Sequence, residues 1–130
     1  MSQASETTAW PALRKQQFMN LFTYRKSGAA VKTPVWFAQR GEKLYVFTSA
    51  DAGKIKRVRN DARVLVGPAD RTGNPLGPTA EGQARLLPPE EHAAAKAALD
   101  EKYGLMKLMF DVAGTLRGMN RAYIEITPAE

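Results

Sequence analysis

Lys54, Lys56, Arg57 and Arg59 crowd one short stretch, directly after an apolar run that ends in Thr48-Ser49 and a turn through Ala50-Asp51-Ala52 to Gly53. Hydroxyls at a strand end, a glycine opening a helix and cations in its first turns are the ingredients of an oxyanion site. The helix start offers unpaired N–H groups and partial positive charge, and ammonium and guanidinium groups complete the ligand set. The stretch is not a Walker A loop, because the earlier glycine and the following Ser or Thr are absent. The same cations also suit an exposed helix with nothing bound, and spacing alone leaves both readings open. Upstream, Pro34 sits inside the apolar run 31–38. It denies a strand one ladder N–H, which points to an edge, a bulge, or backbone left free for a ligand.

The remaining inventory narrows the chemistry. With 130 residues, 44 % of them apolar and 25 % charged, the chain suits one globular domain spanning 1–130. It has no cysteine, which removes disulfides, thiolate nucleophiles, thiolate-held iron–sulfur clusters and Cys-based zinc sites. His92 is the sole histidine, so no His-pair metal motif exists and no metal site is expected. Its Ala/Glu/Lys surroundings place it in solvent and outside the chemistry. Asp, Glu, Lys, Tyr, Ser and Thr do acid–base work but carry no electrons, so redox chemistry needs a borrowed cofactor. Tyr24, Tyr45 and Tyr103 are conceivable acids, yet each suits core or interface packing equally, and the catalytic residue stays unassigned.

A net charge of +6 and a pI near 9.8 attract anions: nucleic acid, a membrane surface or a phosphorylated cofactor. The first eight residues lack a basic and then apolar leader, and no run is long enough to span a bilayer, so a cytoplasmic protein with no membrane partner is expected. A small basic nucleic-acid-binding barrel is the reading from another class. The cations concentrate at one helix instead of lining a groove interleaved with aromatics, so no nucleic-acid partner is expected either.

The elements that must position these groups follow from periodicity. Trp10, Leu13, Gln17 and Phe18, with Pro11 at a first-turn position, predict a short helix over 10–17. Runs 19–25, 31–38 and 43–48 read as three strands of an antiparallel meander. Ile55 and Val58 give 51–60 a short amphipathic helix with a basic polar face. Strands at 63–68 and 79–87 flank a Gly/Pro/Asn-rich loop at 69–78. Pro88-Pro89 open a helix through about residue 102. Residues 103–119 have apolar helical spacing broken by Gly114 and Gly118, and Met106, Met109, Phe110 and Met119 suit an apolar pocket or ordinary core and dimer packing. A closing strand runs over 122–127. Six strands with few helices between them favour a mainly β fold with peripheral helices, a small barrel of about six antiparallel strands.

Phe47-Thr48-Ser49-Ala50-Asp51-Ala52-Gly53-Lys54-Ile55-Lys56-Arg57-Val58 resembles the phosphate-binding signature of the pyridoxamine 5′-phosphate oxidase-like split β-barrel superfamily. Ala29-Ala30-Val31-Lys32-Thr33-Pro34-Val35-Trp36-Phe37 is similar to the strand that faces the cofactor ring there, and Asn60-Asp61-Ala62-Arg63-Val64 and Glu81-Gly82-Gln83-Ala84 extend the match across about 19–87. Within the superfamily the Thr33-to-Phe37 run and the lysine–arginine helix look most like the coenzyme F420-dependent oxidoreductases. FMN-dependent oxidases commonly carry Ser-Arg-Lys where this chain has Ala52-Gly53-Lys54, and a strand lysine where it has Phe37.

The resemblance implies an FMN-binding type of split barrel and an F420-dependent oxidoreductase that moves hydride between reduced deazaflavin and a small electron-poor substrate. The alternatives are an FMN-binding relative and a split barrel that holds a cofactor without turnover. By the same resemblance Lys54 takes the phosphate, with Lys56 and Arg57 beside it or on an anionic tail. Thr48 and Ser49 donate hydroxyls, Lys32 is a basic ligand, and Thr33, Pro34, Val35 and Trp36 line the ring edge. It further implies a homodimer with the cofactor at the subunit boundary.

Overall fold

Side chains alternate between two faces along Phe18–Tyr24, β1: Met19, Leu21 and Thr23 are almost wholly covered on one, while Phe18, Asn20 and Phe22 lie on the other, where the two phenylalanines are half-buried and Asn20 is buried as well. The face that carries Met19 and Leu21, continued across the sheet, is the inside of the fold. The computed structural model describes residues 10–50, 52–103 and 121–129. After β1 come β2 (Ala30–Trp36), β3 (Ala38–Arg40), β4 (Lys43–Ser49), helix α1 (Gly53–Asn60), β5 (Arg63–Ala69), β6 (Ala80–Leu86), helix α2 (His92–Tyr103) and β7 (Arg121–Pro128). The strands form one antiparallel sheet in the order β2-β1-β5-β6-β7-β4-β3.

The expected meander is corrected here. β2 pairs only with β1 and β3 only with β4, so the run 31–38 is two strands at opposite edges of the sheet, joined through the single residue Phe37. A continuous backbone that belongs to both edges forces the sheet to curl until they meet. The result is a split half-barrel of seven strands instead of six, and the extra one is β3. Met19, Leu21, Leu44, Val46, Ile124 and Ile126 fill its interior, and Ile55 and Val58 from α1 close it against β1 and β6. Outside, Ala95, Ala98 and Leu99 of α2 pack on Tyr45, Leu87 and Tyr123.

The helix predicted over 10–17 shrinks to a 3₁₀ turn at Pro11–Leu13. Trp10 (φ 57°) and Lys15 (φ 63°) take left-handed backbone, which ends helical bonding on both sides. Anchoring wins over helix propensity: the Trp10 indole is buried and donates to the Glu42 carbonyl at 2.8 Å. It lies so close to β6 that a Cβ on Gly82 would sit 3.0 Å from the indole and 2.8 Å from Ile126. The helix predicted from 88 begins as a 3₁₀ turn (Pro89–Glu91) and continues as α2. His92 is half-buried instead of free in solvent; its Nε2 is 3.0 Å from the Leu87 carbonyl and its ring packs on Tyr123. The segment 104–119 and its methionine cluster lie outside the described residues.

Tyr103, the last residue of α2, holds the crossover. Its hydroxyl accepts the Phe37 N–H at 2.9 Å, and its one proton lies between the carbonyls of Gln17 (2.6 Å) and Phe37 (2.9 Å). Burial pushes this phenol well above its usual range. Lys102 donates to the same Phe37 carbonyl at 2.8 Å, with its ammonium 3.5 Å from the centre of the Phe37 ring. Although Lys102 as a residue is exposed, its ammonium is tucked in, and burial lowers its pKa to about 8.

Tyr103→Phe leaves the buried Phe37 N–H without an acceptor, so urea unfolding is expected to show a loss of about 1–3 kcal/mol. Lys102 sets a pH signature. Between about 8 and 10.5 the unfolded chain binds more protons at this lysine than the folded chain does, so stability rises with pH there. Above the ordinary tyrosine value of 10.0 the raised Tyr103 acts in the opposite sense. Urea midpoints measured from about pH 8 to 10 are therefore expected to climb for the unmodified protein and to climb less for Lys102→Met.

Candidate functional site

β4 ends at Ser49, a turn closes with the Ala52 N–H on the Ser49 carbonyl at 3.0 Å, and α1 starts at Gly53. No side chain caps that start. Lys54 folds back to Thr48, its ammonium 3.2 Å from the hydroxyl, and Arg57 donates to the buried Thr23 hydroxyl at 2.6 Å. Burial, then the charge of Arg57, lowers the Lys54 pKa. Burial, then the charge of Arg25 at the β1 end, lowers that of Arg57. Three like charges are therefore crowded here, and among the described residues none of Arg25, Lys54 and Arg57 has a carboxylate partner. A lysine in the first turn also opposes the helix dipole. The donor set fits an oxyanion, and Gly53 leaves the room: a Cβ there would meet the Arg57 guanidinium at 2.8 Å.

Beside Lys54, between β1 and β2 on one side and the end of β4 on the other, lies a cleft of about 390 Å³. Phe18, Pro34, Val35, Trp36 and Phe47 form its apolar wall, and Thr48, Ser49, Lys54 and Arg71 supply its polar groups. Trp36 is held in place: Tyr103 stacks on it at 4.7 Å and 15°, and Phe47 meets it edge-on at 6.0 Å. Pro34 falls on the edge strand, at a pair that alternation from the Arg25–Ala29 bond makes non-hydrogen-bonded. The N–H it lacks is therefore one that would face the split, not β1.

Of the residues singled out from sequence, Pro34, Val35, Trp36, Thr48, Ser49 and Lys54 come together in this cleft. Thr33 is half-buried beside it without lining it, Lys56 is exposed on α1, and Arg57 turns to Thr23. Lys32 is spent elsewhere, on the Gly73 carbonyl at 3.1 Å. None of Tyr24, Tyr45 and Tyr103 lines the cleft: Tyr24 lies under Arg63, Tyr45 leans on Glu125, and Tyr103 holds the crossover. Sequence reading passed over Phe18 and Phe47 as wall residues, and took Arg71 only as the start of a loop, 71–78, on which a substrate pocket could depend. Phe18 was legible in the alternation, since it shares the outer face with Trp36, its partner in register.

Arg71 arrives on a strap, residues 70–79, that leaves β5 and folds back over β1 and β2. The Asp70 carboxylate accepts the Thr72 N–H (2.9 Å) and hydroxyl (2.8 Å) and the Asn74 N–H (3.0 Å) and side-chain amide (2.9 Å), which holds it well below the usual carboxylate range. Gly73 takes the left-handed φ of 95° that the turn requires. Its carbonyl accepts Asn20 Nδ2 at 2.9 Å as well as Lys32 Nζ. Asn20 is 2 % exposed, and its Oδ1 has no partner among the described residues.

Over residues 7–130 the chain matches the family model described as pyridoxamine 5′-phosphate oxidase. No curated protein matches it. Among solved structures it is similar to a heme storage protein from Vibrio cholerae, at 15 % identity over 92 % of this chain and 87 % of that one, with a TM-score of 0.70. An F420 reductase aligns at 19 % identity over 95 % and 94 % of the two chains, TM-score 0.60. A FAD-binding protein from Mesorhizobium loti aligns at 16 % over 92 % and 84 %, TM-score 0.65. At these identities the likeness is one of fold. No helix among the described residues is long and apolar enough to cross a membrane.

Asn20→Ala removes one of the two donors on the Gly73 carbonyl. Hydrogen exchange at the Leu76 N–H, which bonds the Pro68 carbonyl at 2.9 Å, is expected to speed up, with global stability lowered by about 1 kcal/mol.

Proposed function

This chain belongs to the pyridoxamine 5′-phosphate oxidase family, and from that premise we propose that its cleft binds a flavin-type cofactor, coenzyme F420 ahead of FMN. The activity proposed is hydride transfer between reduced deazaflavin and a small electron-poor organic substrate. One observation supports the reading: Lys54, which lines an apolar cleft walled by Trp36, Pro34 and Phe47, is crowded by Arg57 and, behind it, Arg25, and none of the three has an acidic partner among the described residues. Crowding like charges is unfavourable unless an anion neutralises them. A phosphorylated, planar ligand supplies both the anion and the ring that such a wall accepts.

The cofactor, when bound, supplies the hydride chemistry; the protein supplies position and field. Lys54 holds an oxyanion at the α1 start, with the Thr48 and Ser49 hydroxyls beside it. Trp36, fixed by Tyr103, presents a rigid wall. F420 comes ahead of FMN because Ala52-Gly53 supplies no hydroxyl or guanidinium to the phosphate, and Phe37 is 1 % exposed inside the barrel. Such a residue makes no phosphate contact. The sole histidine, His92, is engaged with Leu87 and Tyr123 outside the cleft, so heme ligation by histidine finds no support there. A homodimer whose second copy completes the cleft belongs to the same proposal; Leu76, 57 % exposed on the strap, is an apolar side chain such a copy would cover.

Titration of the purified protein with F420 and with FMN, followed by tryptophan fluorescence, tests the reading. F420 is expected to bind, and Lys54→Met to weaken it by about tenfold or more, the worth of a charge-assisted hydrogen bond. Tight FMN binding without F420 binding reverses the cofactor order, and binding of neither refutes the site.

A further inference from the structure

Outside the cofactor cleft, Lys15 and Lys102 line the same two grooves, one of about 220 Å³ and one of about 310 Å³. Lys102 stands at the boundary between them. Its ammonium is 3.5 Å from the ring centre of Phe37, which lines the smaller groove, and 5.3 Å from that of Tyr103, which lines the larger. Lys15 stands there on left-handed backbone, φ 63°, a conformation that residues with a Cβ rarely adopt and that the surrounding fold must hold in place. The next residue is tied down, the Gln16 N–H bonding the Leu13 carbonyl at 3.2 Å.

Among the described residues neither lysine has a carboxylate partner. Glu101, on the smaller groove, is committed to Arg40 of β3 at 3.1 Å, and the Tyr103 phenol beside Lys102 is pushed well above its usual range and stays neutral. Lys102 has one fixed bond, to the Phe37 carbonyl at 2.8 Å, and that oxygen already has the Tyr103 hydroxyl at 2.9 Å. A desolvated ammonium is a costly way to serve it a second time. The desolvation that lowers the Lys102 pKa to about 8 leaves a nucleophilic amine populated near neutrality, with a groove open on either side.

We propose that Lys102 is a covalent site for small aldehydes that carry a carboxylate, which it captures as an imine in the groove it shares with Lys15, Gln16 and Gln17. The neutral amine adds to the aldehyde carbon and the C=O π pair moves to oxygen. Protons pass from nitrogen to that oxygen, and water leaves as the C=N bond forms; nothing is oxidised or reduced. The surroundings choose the electrophile. A protonated imine keeps the positive charge against the Phe37 ring and keeps one N–H for the Phe37 carbonyl, whereas an acyl adduct discards the charge. The carboxylate goes to the larger groove, whose described lining has Lys15 and no acidic residue, while the smaller one carries Glu101. The site is independent of the cofactor cleft and of what binds there.

The test treats the full-length protein with glyoxylate and cyanoborohydride, which reduces any imine to a stable carboxymethyl amine, at about pH 7.5, where an ordinary lysine is almost wholly protonated. Peptide mass mapping reads the initial labelling rate at each lysine, with the N-terminal amine, reactive in any chain, read on its own peptide. Lys102 is expected to label about tenfold or more faster than any other lysine. Lys102→Arg, which keeps the charge and a donor for Phe37, removes that label. Lys15→Gln slows glyoxylate at Lys102 by about threefold or more and leaves acetaldehyde, which has no carboxylate, within about twofold. Labelling spread evenly over the lysines, led by the cleft residue Lys54, or missing from Lys102 overturns the proposal. A preference for glyoxylate over acetaldehyde that survives Lys15→Gln overturns the assignment of the carboxylate.

Discussion

One residue, Phe37, joins the two edges of a seven-stranded sheet, and the curvature of the whole barrel depends on that link being held. Its backbone lies outside both strands, so its N–H and carbonyl need partners that no ladder provides. Tyr103 and Lys102, from the far end of the chain, supply them. The same tyrosine ring stacks on Trp36. Closure of the barrel and rigidity of the cleft wall are thus one event, held by the same tyrosine.

Electrostatics divides the molecule in a complementary way. Around Glu125, which is 6 % exposed, Arg85 and Lys43 approach at 2.9 and 3.7 Å, and the β4-β7-β6 face is neutralised by its own side chains. At the cleft no such pairing occurs among the described residues: Lys54 from α1 meets the Thr48 hydroxyl, Arg71 from the strap is exposed, and Arg57 behind Lys54 meets the Thr23 hydroxyl. A surplus of positive charge concentrated where apolar walls also meet raises the local concentration of anions and strengthens each contact they make.

Much of this was legible in the sequence. Alternation and β-propensity placed the strands to within a residue or two, and the hydroxyl–glycine–lysine order placed Lys54 next to Thr48. What escaped had tertiary causes. Nothing local marks Phe37 as a crossover, since the apolar run continues through it and only the separate pairings of Ala30–Trp36 and Ala38–Arg40 break it. The 10–17 segment has helical spacing, yet Trp10 gains more from the barrel end than from a helical turn. Lys32 read as a cofactor ligand because of its strand, but its ammonium answers to a loop some forty residues later. Arg71 lay in a segment whose Gly, Pro and Asn signal only a turn; its position is set by Asn20, whose role as a tether has no local signature.

The place of β7 in the sheet has a consequence for how the protein is made. β4 is paired on one side by β3 and on the other by β7, the last strand among the described residues, and β6 waits for the same strand. During synthesis the first six strands emerge as two incomplete ribbons with raw inner borders, and the loop that must close to unite them is long. Tyr103 bonds Gln17 across 86 residues, so the clasp is also a late arrival. Union of the two ribbons therefore waits for β7, and a chain that lacks it presents two unsatisfied sheet margins to its neighbours, the condition under which β-proteins associate wrongly.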